Sequence, residues 1–159
     1  MTTLGNGEFE ELVRDLAEDP RCQKMKEFLQ HSDVTTFEHC MDVAKKSFVL
    51  ARKMHLRVDE KALVVGAFLH DYFLYDWHDY GDKFHGYHHA DRALINAKRD
   101  FEIGETEESI IFTHMWPLNL TRVPSTKEAF VVCMVDKWVS TKETLKKYRK
   151  KGEECKCIM

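Results

Sequence analysis

The chain predicts an all-α fold, a helical bundle, and three observations carry that expectation. Apolar residues recur at helical spacing along most of the sequence, and no stretch alternates strictly as a half-buried strand would. Two segments, Thr35 to Glu38 and Ser125 to Glu128, match the capping box, a hydroxyl residue followed three positions later by glutamate. A charge-free run, Ala62 to Leu69, is apolar on every side and stops abruptly on His70-Asp71, as a fully buried helix would.

Composition sets the broad class. A length of 159 residues suits one domain with a proper core. We place the helical core at about residues 35–144 and a frayed tail at about 150–159. Hydrophobic content of 43% and charged content of 32% fit an ordinary globular protein. The net charge of -3 supplies no basic field for a nucleic-acid polymer. The start of the chain lacks the basic and apolar regions of a signal peptide, and no apolar run is long enough to span a membrane. Five cysteines without framework spacing read as reduced thiols, so a cytoplasmic setting is expected.

The elements follow in order. Glu8 to Ala17 has helical spacing, with Leu12, Val13 and Leu16 on one face. Asp19-Pro20 opens a second helix, since proline suits the first helical position, with Met25, Phe28 and Leu29 as its apolar side. His31-Ser32-Asp33 is a break. The helix capped by Thr35 runs to about Met54 with the stripe Cys40, Val43, Ala44, Ser47, Leu50, Ala51, and His39 lies at the stripe's edge. Asp59-Glu60-Lys61 starts the apolar helix, in which Gly66 would let a neighbouring backbone come close. Tyr72 to Tyr87 reads as a long aromatic loop of the kind that covers ligands, or whose rings complete a core. Helices then begin at His88, at the acidic turn Glu105 to Glu108, and at Ser125. The basic run Lys142 to Lys151 reads as a solvated terminal helix face.

Histidines and aspartates mark the ends and edges of these stripes. Six of the nine histidines fall between His70 and His114. His39 stands near a helix start, His89 opens a helix, and His70-Asp71, His114 and Asp136 are expected at helix ends. A lone histidine on an apolar face is usually satisfied by hydrogen bonds. Five or six such groups converging in one small bundle are hard to satisfy that way. Imidazole with carboxylate is a ligand set for divalent zinc, iron, manganese, nickel or cobalt. His88 and His89 are alternatives at one position. His89 is preferred because the residue four further on is the small Ala93, against Arg92 for His88.

The order Phe37-Glu38-His39, Leu69-His70-Asp71, Met134-Val135-Asp136-Lys137 resembles the HD superfamily of metal-dependent phosphohydrolases. The resemblance covers roughly Thr35 to Thr144. His85-Gly86, His89-Ala90 and His114-Met115-Trp116-Pro117 resemble segments of small stand-alone bacterial members. The resemblance implies a first metal held by His39, His70, Asp71 and Asp136. It implies a second held by His89 and His114, with Asp71 bridging the two. A lysine shortly after the doublet and the longer glycine-tyrosine-proline motif of the cyclic-dinucleotide branch are both missing, so that branch's substrate is not carried over.

The expected activity is hydrolysis of a small phosphomonoester or phosphodiester, a nucleotide among the candidates, with two divalent ions as cofactors. Asp71 is the central catalytic group. Lys137 is the best candidate for phosphate contact, ahead of Lys83 and Arg122, and His85 is expected beside the ligands or the substrate. No nucleic-acid polymer and no membrane are expected as partners. Two rival expectations are a di-iron oxygenase of the same superfamily and a metal-stabilised module that binds a ligand without turning it over.

Overall fold

A computed structural model describes residues 6–31, 33–74 and 85–156. Among them are seven α-helices: α1 (Asn6–Glu18), α2 (Pro20–Gln23), α3 (Thr36–Lys53), α4 (Glu60–Leu69), α5 (His85–Asp100), α6 (Glu105–Thr113) and α7 (Lys127–Lys156). A 3-10 turn, Lys24–Glu27, follows α2, and strands β1 (Leu29–His31) and β2 (Val34–Thr35) precede α3. Among the described residues the fold is all-α apart from this one small hairpin.

The second helix is the main departure from expectation. Proline does open α2, and Asp19 caps it by accepting from Arg21 N–H. The helix stops after four residues, and Phe28 is extended at φ -111°, ψ 132°. Leu29 and His31 then pair antiparallel with Thr35 and Val34, so His31 of the expected break belongs to a strand and Asp33 to a turn. The spacing of Met25, Phe28 and Leu29 suits a helix, but the strand pairing wins and places Gln30 inside.

Helices α3, α4, α6 and α7 form the centre. α3 packs on α4 and α7, and α6 packs on the same two. α4 also meets α1, and α5 lies on α6. The apolar run explains this hub: seven of α4's ten residues are buried, Leu63, Val64, Ala67, Phe68 and Leu69 among them. Full burial of one such large apolar side chain contributes about 1.5–3 kcal/mol. Asp59 caps α4 by accepting from Ala62 N–H at 2.9 Å. The close neighbour of Gly66 is a side chain rather than a backbone. A Cβ there would lie 2.6 Å from Ile110 Cδ1 and 3.0 Å from Ile110 Cβ, so α6 nests against α4.

At the start of α3 the capping box forms as expected: Thr35 Oγ1 accepts from Glu38 N–H, and Glu38 Oε2 accepts from Thr35 N–H. The second capping box does not. Thr126 takes the cap, accepting from Ala129 N–H at 3.1 Å, and Glu128 instead accepts from Asp59 N–H. α7 also runs on through Asp136, which was expected at a helix end, as far as Lys156. Its buried residues include Ala129, Val132, Asp136, Val139 and Glu143, three or four positions apart on one face, with Val131, Cys133 and Val135 buried beside them. No helix of the described residues is long and apolar enough to cross a membrane.

Candidate metal centre

Each central helix delivers one or two groups to the middle. His39 stands in the first turn of α3, on the stripe that also holds Cys40, Val43 and Ala44. His70 is the C-cap of α4, with Asp71 next to it, and His114 is the C-cap of α6. His89 comes from the second turn of α5 and Asp136 from α7. All six are buried. His70 and His114 use one device: each Nδ1–H donates to the carbonyl three residues back, Ala67 O and Ile111 O, both at 2.7 Å. Spending Nδ1 on a local carbonyl turns Nε2 inward and fixes the tautomer. His88, the alternative to His89, is exposed.

The distances fall into two groups that share Asp71. Around Asp71 Oδ2, His70 Nε2 lies at 3.4 Å and His39 Nε2 at 3.9 Å. Asp136 Oδ1 completes this group at 3.2 Å from His39 Nε2 and 3.7 Å from His70 Nε2. Around Asp71 Oδ1, His89 Nε2 lies at 3.3 Å and His114 Nε2 at 3.4 Å, with 2.9 Å between the two imidazole nitrogens.

The electrostatics are those of a site that wants a cation. Burial works against ionised Asp71, yet the charge of His70 and the imidazoles of His114 and His89 beside it hold it well below the usual carboxylate range. Burial opposes ionised Asp136 too, and His39 and His70 outweigh it. Burial disfavours a charged His39, but hydrogen bonds to Asp136 and Glu143 raise it to about 10. His70 is raised well above its ordinary value because the charge of Asp71 overcomes its burial. His114 is lowered, burial being the largest cause. Protons thus stand in for positive charge that a divalent ion would bring, and binding such an ion would displace them.

Three observations test whether these residues fit a metal. Donor atoms of His39, His70 and Asp136, and again of His70, Asp71 and His114, lie within 4.8 Å of one another. Ligands bound at about 2.0–2.2 Å to a common ion sit about 3–4 Å apart, which matches the spacings seen. His70 Nε2 and Asp71 Oδ1 are buried without a hydrogen bond among the described residues, although charged neighbours stand close. A buried polar atom left so costs about 1–3 kcal/mol, a cost that coordination would remove. Both donor groups could therefore hold a metal ion.

Other expected residues have different surroundings. Lys137 donates to His114 O at 2.6 Å and lies 3.9 Å from Asp136 Oδ2, so its ammonium braces α6 against α7. Arg122 is engaged with both carboxylate oxygens of Asp91 and lies over the Phe112 ring. Lys83 and the side chain of His85 lie outside the described residues, as do the aromatic side chains from Tyr75 to Tyr87. Tyr72 and Phe73 are buried: Tyr72 Oη donates to Asp100, and Phe73 meets the ring of His89 edge-on.

Two neighbours of the centre were not expected. Gln30, buried on β1, donates its side-chain amide to Asp71 Oδ2, and no sequence pattern announces it because β1 itself was read as helix. Glu143, buried on α7, accepts from His39 Nδ1–H at 3.0 Å. Its signal was present: seven residues after Asp136 is two helical turns along the same face. Reading a helix end at Asp136 hid it.

An all-α bundle whose core helices converge on buried histidines and aspartates is the class that fold and site define. A family model of the HD domain matches residues 36–139, and the chain belongs to the HD superfamily. The matched span includes all six converging residues and excludes Gln30 and Glu143. Comparisons with curated proteins and with solved structures returned no match.

Proposed function

We propose that this protein hydrolyses a small phosphate ester, a monoester or diester, at a centre of two divalent ions. His39, His70, Asp71 and Asp136 would hold one ion, and Asp71, His89 and His114 the other. The single observation that supports this reading best is the division of Asp71, whose two oxygens serve separate sets of donors. When bound, divalent ions at paired sites acidify a water molecule and polarise phosphoryl oxygens for in-line displacement.

The chain's own residues then do the positioning. The Nδ1 anchors at Ala67, Ile111 and Glu143 keep three imidazoles aimed inward without rearrangement. Gln30 holds Asp71 from the hairpin side. Asn96 donates to both Tyr72 O and Phe73 O at 3.1 Å, pinning the backbone just beyond the doublet. Lys137 fixes the carbonyl of His114, a positioning role rather than a phosphate contact. The apolar shell of α4 keeps the dielectric low, so charges act strongly here.

The test is a substrate panel of nucleoside monophosphates, cyclic nucleotides and sugar phosphates, offered to protein loaded in turn with manganese, cobalt, nickel, zinc and iron. At least one ester should release phosphate or open a diester, and turnover should continue without oxygen. An intact panel with oxygen consumption on a phosphonate or polyol would replace this reading with an oxygenase. Ligand-induced stabilisation without product under any metal would replace it with a binding module.

A further inference from the structure

We infer that Glu143 is a positioning residue of the metal centre, an acceptor that sets the tautomer and donor strength of His39; this rests on the metal-centre reading above. The imidazole of His39 is fully buried and gripped at both edges by one face of α7. Asp136 Oδ1 lies 3.2 Å from Nε2, and Glu143 Oε2 lies 3.0 Å from Nδ1. Ser140, between them in sequence, donates its hydroxyl to Asp136 Oδ1 at 3.1 Å. Asp136, Ser140 and Glu143 thus form one polar line along a helix whose neighbouring stripe residues Val132, Val135 and Val139 are apolar.

His39 differs from the other anchored histidines. His70 and His114 give their Nδ1–H to neutral backbone carbonyls, whereas His39 gives its own to a side-chain carboxylate. A carboxylate behind a ligating imidazole fixes the ring, holds the proton on Nδ1 and makes Nε2 a stronger donor. An ion held with His39 would therefore meet a stronger imidazole donor there than His70 or His114 offers. Glu143 lies beyond the span matched by the HD family model, so the pairing is read from this chain alone.

A plain ion pair that merely ties α3 to α7 would show the same distance, and metal affinity separates the two. The variants are Glu143→Gln, which can still accept the Nδ1–H without charge, and Glu143→Asp. Metal-free protein is titrated with cobalt and manganese by calorimetry, and the metal-free melting temperature is recorded alongside. The imidazole nitrogen shifts of His39 are followed by NMR. Glu143→Gln should weaken one of the two sites about 10–100-fold, as loss of such partners does elsewhere, and leave the other unchanged. Glu143→Asp should recover part of the loss, and the His39 nitrogen shifts should move in Glu143→Gln with metal bound. Wild-type affinity at both sites in Glu143→Gln overturns the inference, even if the metal-free melting temperature falls, because that pattern belongs to a structural tie. A wild-type protein that binds no metal would overturn the metal-centre reading itself, which is a separate outcome.

Discussion

His114 shows how one side chain is committed before any ligand arrives. Its Nδ1–H is spent on Ile111 O, its carbonyl accepts from Lys137, and its Nε2 faces His89 and Asp71 Oδ1. Although its ring meets that of His70, it is assigned to the second donor group of the proposed pair alone, so His114→Ala should lower bound metal from two ions per chain to one. Elemental analysis of the purified variant checks this, and two full equivalents would contradict it. Lys137→Met should act through the same carbonyl. We expect a smaller drop in affinity at that site and an unchanged salt dependence of substrate binding, since Lys137 is not assigned a phosphate. Steady-state KM measured against ionic strength decides between the two roles.

At the scale of elements, the seam between α4 and α6 carries His70 and His114 on adjoining helix ends. Gly66→Ala would drive a methyl group to within 3.0 Å of the branched Cβ of Ile110, which cannot swing aside as a chain end can. We expect a loss of about 1–3 kcal/mol, the usual cost of overpacking, read from urea unfolding. The cap of α3 is the other test. Hydrogen bonds from Thr35, backbone first, hold the Glu38 carboxyl below its ordinary value. A lowered carboxylate stabilises the fold above its unfolded-state pKa, about 4.3, and that contribution is lost as pH falls through the folded value. Wild type should thus melt higher than Glu38→Gln near pH 7, and the gap should close toward pH 3. These two helices were also the most legible in the sequence, because the Thr35–Glu38 box and the run to Leu69 are local signals. The hairpin was not, since pairing Leu29 with Thr35 depends on contacts that spacing cannot reveal. Asp136 read as a helix end because the apolar stretch Ala129 to Val135 stops there, but its bonds to His39 and Ser140 hold it within α7. The convergence of the six ligand candidates was legible through stripe edges and resemblance, whereas Gln30 and Glu143 needed three dimensions.

For the molecule as a whole, the centre joins five helices, α3 to α7, that elsewhere meet through apolar packing and a few peripheral polar ties such as Arg52–Glu60 and Lys98–Glu108. Bound metal favours the folded state by mass action, about 2.7 kcal/mol when free metal stands at 100 times its Kd. Chelation should therefore lower the melting temperature of wild type, while a protein whose centre is only a hydrogen-bonded cluster would melt unchanged; differential scanning calorimetry with and without chelator checks this. The most direct measurement concerns Asp71, the one residue whose two oxygens belong to both donor groups. Metal content of Asp71→Ala, purified beside wild type and measured by elemental analysis, should fall from two ions per chain to none. Retention of even one full equivalent in Asp71→Ala would contradict the shared role on which this account rests.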